Sequence, residues 1–338
     1  MTRVELGRID KTKPHLLADT AEILCATNGG LVSVTDLVGL IASSVSPAEE
    51  AMNADEQDRD DDGVPDDEPS TATTARHTLY AEECFRQLEY RQDAFGVSYP
   101  FEVQGKTLRL RKEYHVLQCL YLFLLYASRT RTFKGRRGIT QEIADYFEIV
   151  GRDALSRLMA PSAEVIMFGP NSADRSTRFG TDLRQALPKL AEFMGIYMAP
   201  GWKPEDEAAQ GDANIDLVGV QKLDNTKGGW NLFLAQCAAH EKHETWEKKR
   251  LEADLSYHNA RFHSLVRAQA VLFVPTCFRQ TSGDWVDKSA AANVILMDRL
   301  RIISAVNDDD PSVEGSCDFL QDKQLAGPFR GDRLSASA

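Results

Sequence analysis

The chain lacks any long hydrophobic run. Its most apolar stretch, 116–127, is a dozen residues, short of the roughly 20 that a bilayer-spanning helix needs, so a buried helix is expected there. Apolar residues are scarce at the start too: the opening MTRVELGRIDKTK has no apolar region, so export is not expected. Cysteine is sparse. Cys25, Cys84, Cys119, Cys237, Cys277 and Cys317 are scattered singly, which fits reduced thiols in a cytoplasmic protein better than a disulfide framework. Positive charge is also in deficit: the formal net charge is -12, which argues against a uniformly basic surface.

That deficit is local. Between residues 48 and 69 stand eleven acids and one base, Arg59, and these account for ten of the twelve net negative charges. The rest of the chain is near neutral and can carry a local basic face. The stretch 45–75, acidic with Ser, Thr and Pro and almost without aromatics, reads as a disordered linker. Within it Asp58-x-Asp60-x-Asp62-Gly63 imitates the start of a calcium loop, but Pro69 stands where the closing glutamate belongs. A length of 338 residues with 43% hydrophobic content supports two domains with real cores.

Residues 1–44 are expected to be helical. Segments 12–26 and 35–43 read as helices broken by Gly29-Gly30, with Ser33 placed to cap the second ahead of Asp36. Helix, turn and capped helix is how a helix-turn-helix begins. After the linker, 76–135 reads as an α+β accessory segment: a helix over 76–94, then a β-hairpin from 99–103 and 107–111 around Gln104-Gly105, then the apolar helix 115–128. With the preceding helices this suggests a split winged-helix region, or else a small adaptor. Arg129, Arg131, Lys134, Arg136 and Arg137 follow, with Gly135 and Gly138 among them. They are candidate phosphate contacts.

Residues 136–305 carry the pattern of a mixed α/β domain. Thr140 is expected to cap a helix running to about 159, followed by strand 164–169 and helix 182–194, which tolerates Pro188 and ends near Gly195. Two apolar runs, 215–220 and 231–238, read as adjacent strands leading into a helix from about 244. Pairing them brings Asp216, at the start of one, to the same end as Gln236 on the other. An acid beside a carboxylate or amide, with a lysine two positions on, makes a divalent-metal site suited to phosphodiester hydrolysis. Segments 268–274 and 294–302 complete five strands, the last interrupted by Asp298-Arg299, and the tail 306–338 is expected to be loosely ordered. Cys237, His240 and His243 have zinc-like spacing but lack a fourth ligand nearby, and strand alternation turns Cys237 away from Gln236.

Gly211-Asp212-x-x-Ile215-Asp216-Leu-Val, followed by Leu-Ala-Gln236-Cys-Ala and then by Trp246 and nearby lysines, resembles the core of the PD-(D/E)XK, or restriction-endonuclease-like, nucleases. The resemblance spans about half the chain. It implies a restriction-endonuclease-like mixed sheet flanked by helices, and a Mg²⁺ or Mn²⁺ site of Glu148, Asp216 and Gln236, Glu148 matching a Phe-Glu pattern on the helix before the first core strand, with Glu142 as the alternate. The lysine expected two after Gln236 is Ala238. Lys249, three after Trp246 on one helical face, is the candidate replacement, with Lys242 and Lys248 as rivals. Asp212 assists or simply forms the turn. The resemblance further implies a nucleic acid substrate, DNA before RNA, two copies for a double-strand cut, and a role as the cutting arm of a bacterial defence or repair system alongside an ATPase or sensor. The alternative is an inactive nuclease fold that binds nucleic acid or assembles a complex.

Overall fold

The computed structural model describes residues 10–27, 29–44, 71–112, 115–130, 138–239, 243–323 and 325. The chain forms two compact units, one from Met1–Tyr114, Arg279–Asp284 and Gln324–Ala338, the other from His115–Phe278 and Trp285–Lys323.

The first unit contains α1 (Pro14–Thr27), β1 (Leu31–Ser33), α2 (Val34–Ser43), α3 (Thr71–Phe95), β2 (Phe101–Gln104) and β3 (Thr107–Leu110). Its sheet is antiparallel in the order β1-β3-β2. Ser33 caps α2 as expected: its Oγ accepts from Asp36 N at 3.1 Å while Asp36 Oδ2 accepts from Ser33 N at 2.8 Å. The hairpin turns at Gly105, whose φ of 57° suits glycine. β1 is an addition to the expected elements, and α3 begins five residues before the expected helix. The calcium-like stretch and the rest of 45–70 lie outside the described residues.

A buried ion network ties this unit together. Arg91 of α3, fully buried, donates to Asp19 Oδ1 at 2.7 Å, Glu22 Oε2 at 2.8 Å and the His15 carbonyl at 2.6 Å, all on α1. Tyr99 Oη donates to the other Glu22 oxygen at 2.8 Å. Burial, the largest influence, pushes His15 down to about 4.

The second unit contains α4 (Val116–Ser128), α5 (Ile139–Leu158), β4 (Glu164–Met167), α6 (Leu183–Met194), β5 (Tyr197–Met198), β6 (Leu217–Gln221), β7 (Asn231–Cys237), α7 (His243–Glu252), β8 (Phe262–His263), β9 (Gln269–Phe273), β10 (Ile295–Met297), α8 (Arg299–Ala305) and α9 (Pro311–Asp322). Five strands form one sheet in the order β10-β9-β7-β6-β4. β4, β6 and β7 are antiparallel, whereas β9 and β10 join parallel. Strand alternation sends the two sheet faces to different helices. Val218, Val220, Leu232 and Leu234 pack with Leu187, Leu190 and Met194 of α6. On the opposite face Gly151 of α5 abuts Cys237, Leu217 and Phe273 so closely that a methyl there would lie 2.9 Å from Cys237 Sγ. The chain therefore has the mixed α/β architecture expected of it, and among the described residues no helix is long and apolar enough to cross a membrane.

Several expectations are corrected. Gly138, at φ 91°, rather than Thr140 is the N-cap of α5. The last strand stops at Met297, because Asp298 accepts from Arg301 N at 3.2 Å and so starts a helix. α4 belongs to the second unit, not to the accessory segment. The region after 306 is not loose throughout: Phe319 of α9 packs 4.7 Å from Tyr146 and 5.3 Å from Phe123, and Tyr146 Oη donates to the Ser312 carbonyl at 2.9 Å. Cys119 and Cys317 are joined as a disulfide, while Cys25, Cys84, Cys237 and Cys277 are free thiols. Their separation of 198 residues hid a pairing that only the packing of α9 on α4 creates.

Candidate active site

The register of β6 with β7 pairs Leu217 with Ala235, so the next position outward sets Asp216 opposite Gln236. Both are buried, at 4% and 1% exposure. Trp246 anchors α7 in a cluster with Ala238, Leu272 and Phe278, its ring 5.0 Å from that of Phe278. One helical turn on, Lys249 is delivered to the same place. Its Nζ lies 2.7 Å from Gln236 Oε1, 3.3 Å from Asp216 Oδ2 and 3.7 Å from Glu252 Oε2. Asp216 Oδ2 also accepts from Cys237 N at 2.8 Å, and Gln236 Nε2 donates to the Asn214 carbonyl at 2.7 Å.

Glu148 comes from α5. Its carboxylate rests on Gly169, just past β4, where a methyl group would lie 2.6 Å from Oε2. Burial first, and then the neighbouring Asp216 charge, push its pKa up to about 8. Burial also raises Asp216, against the opposing Lys249 ammonium and Cys237 N–H. Lys249 is pulled down by burial, but the Asp216 and Glu252 carboxylates outweigh that and leave it above the ordinary lysine value. A site with two crowded carboxyl groups and one shared ammonium is short of positive charge.

Carboxylate and amide oxygens are the donors that a hard cation prefers. Among the described residues no hydrogen-bond donor reaches the Glu148 carboxylate, and on Asp216 both Cys237 N and Lys249 Nζ bind the same oxygen, Oδ2. Yet no group of three or more His, Cys, Asp and Glu side chains among the described residues is placed to hold a metal. The third oxygen would be the Gln236 amide, which Lys249 engages here.

The other sequence candidates separate cleanly. Glu142 is exposed and pairs with Lys323 at 2.8 Å. Lys248, its side chain 75% exposed, approaches Glu252 rather than Asp216, so Lys249 is the lysine at the site; Lys242 lies outside the described residues. Asp212 forms the turn, its Oδ1 accepting from Asn214 N at 2.8 Å, and its charge also bears on Glu148 and Asp216. Arg129 is a correction: it is 2% exposed, in the interior where no phosphate reaches it. Arg131, Lys134, Arg136 and Arg137 lie outside the described residues, as do His240 and the side chain of His243. Two residues went unforeseen. Glu252, buried behind Lys249, could have been found from its i,i+3 spacing; Arg175, taken up below, had no such signal.

Comparison with family models, with curated proteins and with solved structures finds no match to this chain.

Proposed function

We propose that the second unit is a metal-dependent nuclease of the restriction-endonuclease-like kind, hydrolysing phosphodiester bonds, most readily of DNA. The observation that carries the reading is the convergence of Lys249 on Asp216 and Gln236 at one end of an antiparallel strand pair, with Glu148 entering from α5. Glu148, Asp216 and Gln236 would hold Mg²⁺ or Mn²⁺. When bound, the cation supplies Lewis-acid activation of water and of the scissile phosphate. Lys249, protonated near neutral pH, acts as a fixed positive charge: it orients a phosphate oxygen and offsets charge developing in the transition state. Asp216, held by Cys237 N–H, keeps that ammonium in place.

We read the element order of the first unit and its β1-β3-β2 sheet as a winged helix, with exposed Lys106, Arg109 and Lys112 on or beside its hairpin. We assign it a nucleic-acid-facing accessory role. Pairing of two copies for double-strand cutting, an ATPase or sensor partner in a defence system, and cytoplasmic residence belong to the same proposal, although the Cys119–Cys317 bond weighs against the last.

A second reading, an inactive nuclease-like subunit that binds nucleic acid, draws on Ala238, packed apolar beside Trp246 where a lysine would stand. Cleavage of plasmid, linear duplex, single-stranded DNA and RNA with Mg²⁺ or Mn²⁺ separates the two. Wild type should cut, and Asp216→Ala and Lys249→Ala should each lose about 10²-fold or more. Wild type that binds DNA without cutting under any condition would favour the inactive subunit.

A further inference from the structure

Beneath the turn that delivers Asp216 lies an arginine that the chemistry above leaves unused. Arg175 is 1% exposed. Its Nε donates to the Gly180 carbonyl at 2.9 Å, and its Nη1 reaches the Phe168 carbonyl at 3.3 Å and the Gly211 carbonyl at 3.2 Å. The guanidinium lies 4.3 Å over the Phe168 ring. Phe168 is itself tied to the site, its N–H donating to the Asp216 carbonyl at 2.7 Å.

The turn that begins at Gly211 is strained. Ala213 and Asn214 are consecutive and left-handed, with φ of 56° and 62°. L side chains disfavour that region, and such residues persist only where their surroundings enforce it. Here the turn is gripped from outside at three points: Arg175 binds Gly211 at its start, Gln236 binds the Asn214 carbonyl two residues before Asp216, and Phe168 N–H binds the Asp216 carbonyl. Only a planar fork of donors can serve three carbonyls while lying flat on a ring; a lysine keeps the charge but loses that geometry.

We propose that Arg175 is a positioning residue for Asp216: by clamping the 211–216 turn in its left-handed shape, it sets the affinity of the site for its cation. The proposal rests on the cation-binding reading above.

The test compares Arg175→Lys with Arg299→Lys. Arg299 is a matched control, also fully buried in this unit, 4.9 Å over the Tyr121 ring and donating to the Pro275 carbonyl at 2.8 Å. Two readouts are taken on the full chain: Mn²⁺ affinity by calorimetry, and cation-free hydrogen exchange at the Cys237 amide, which Asp216 Oδ2 holds. Arg175→Lys should weaken Mn²⁺ binding by about 10–100-fold and speed Cys237 exchange. Arg299→Lys should lower the unfolding midpoint and leave both readouts unchanged. Equal losses in both variants, or none in Arg175→Lys, would overturn the proposal. If Arg175→Lys does not fold, Phe168→Leu removes the ring under the guanidinium and keeps the arginine; it should move both readouts in the same direction, and unchanged values would count against the clamp. Wild type without Asp216-dependent Mn²⁺ binding would sink the cation reading, while Cys237 exchange would still decide whether Arg175 fixes Asp216.

Discussion

Each unit buries a cluster of acids around one basic side chain, and the two clusters are built differently. In the first unit Arg91 is fully enclosed with Asp19 and Glu22, and its hydrogen bonds run to both carboxylates and a backbone carbonyl. In the second, Lys249 keeps 31% of its side chain exposed and is shared by Asp216 and Glu252, while Glu148 stands nearby without a donor among the described residues. The first arrangement is sealed, and its two acids are bonded by Arg91 and Tyr99, as a structural network must be to offset its desolvation. The second keeps a route to solvent and a carboxyl group, Glu148, without a donor among the described residues, an arrangement that a cation or substrate would complete.

The largest expected effect comes from breaking the sealed cluster. Arg91→Leu removes the guanidinium that both buried carboxylates share and should cost about 3–5 kcal/mol, read by denaturant unfolding, whereas Mg²⁺-dependent stabilisation of the second unit should survive. A smaller loss, about 1–3 kcal/mol, is expected of Tyr99→Phe, which removes one donor from buried Glu22. Reduction of Cys119–Cys317, or Cys119→Ser, should lower the thermal midpoint of the second unit by an amount corresponding to about 2–4 kcal/mol; an unchanged midpoint under reductant would remove that bond from the account.

The open cluster should announce itself through pH. Glu148 is raised from 4.5 to about 8 by burial, so the folded state holds its proton more tightly than the unfolded chain. Its contribution is therefore fully present below pH 4.5 and is lost as pH rises through about 8. Without divalent cation, stability should fall across that window, and Glu148→Gln should flatten the fall. With Mg²⁺ present the slope should shrink, because a cation favours the ionised carboxylate. Thermal midpoints between pH 5 and 9, with and without Mg²⁺, read both signs.

Much of the second unit was legible because its central strands are short apolar runs bounded by turn residues, and burial on both faces writes itself directly into the sequence. The pairing of Asp216 with Gln236 followed from strand order alone. Lys249 was reachable because Trp246 fixes which face of α7 turns inward. What stayed hidden depends on contacts between distant segments. β1 is three residues long and owes its existence to pairing with β3. α9 is weakly apolar and is held by Tyr146, Phe123 and the disulfide. Arg129 looked like surface because it opens a basic run, and its burial comes from tertiary packing that local charge does not reveal. Arg175 sits in a polar stretch, NSADRSTRF, whose acceptors lie as far off as Gly211.

The central claim is that the Asp216 cluster is a cation site. Calorimetric titration of Mg²⁺ and Mn²⁺ into the wild-type chain, beside Asp216→Asn, tests it most directly. Saturable binding near one ion per chain that vanishes in Asp216→Asn is the expected result. Identical heats in both proteins, or no binding by the wild type, would contradict it.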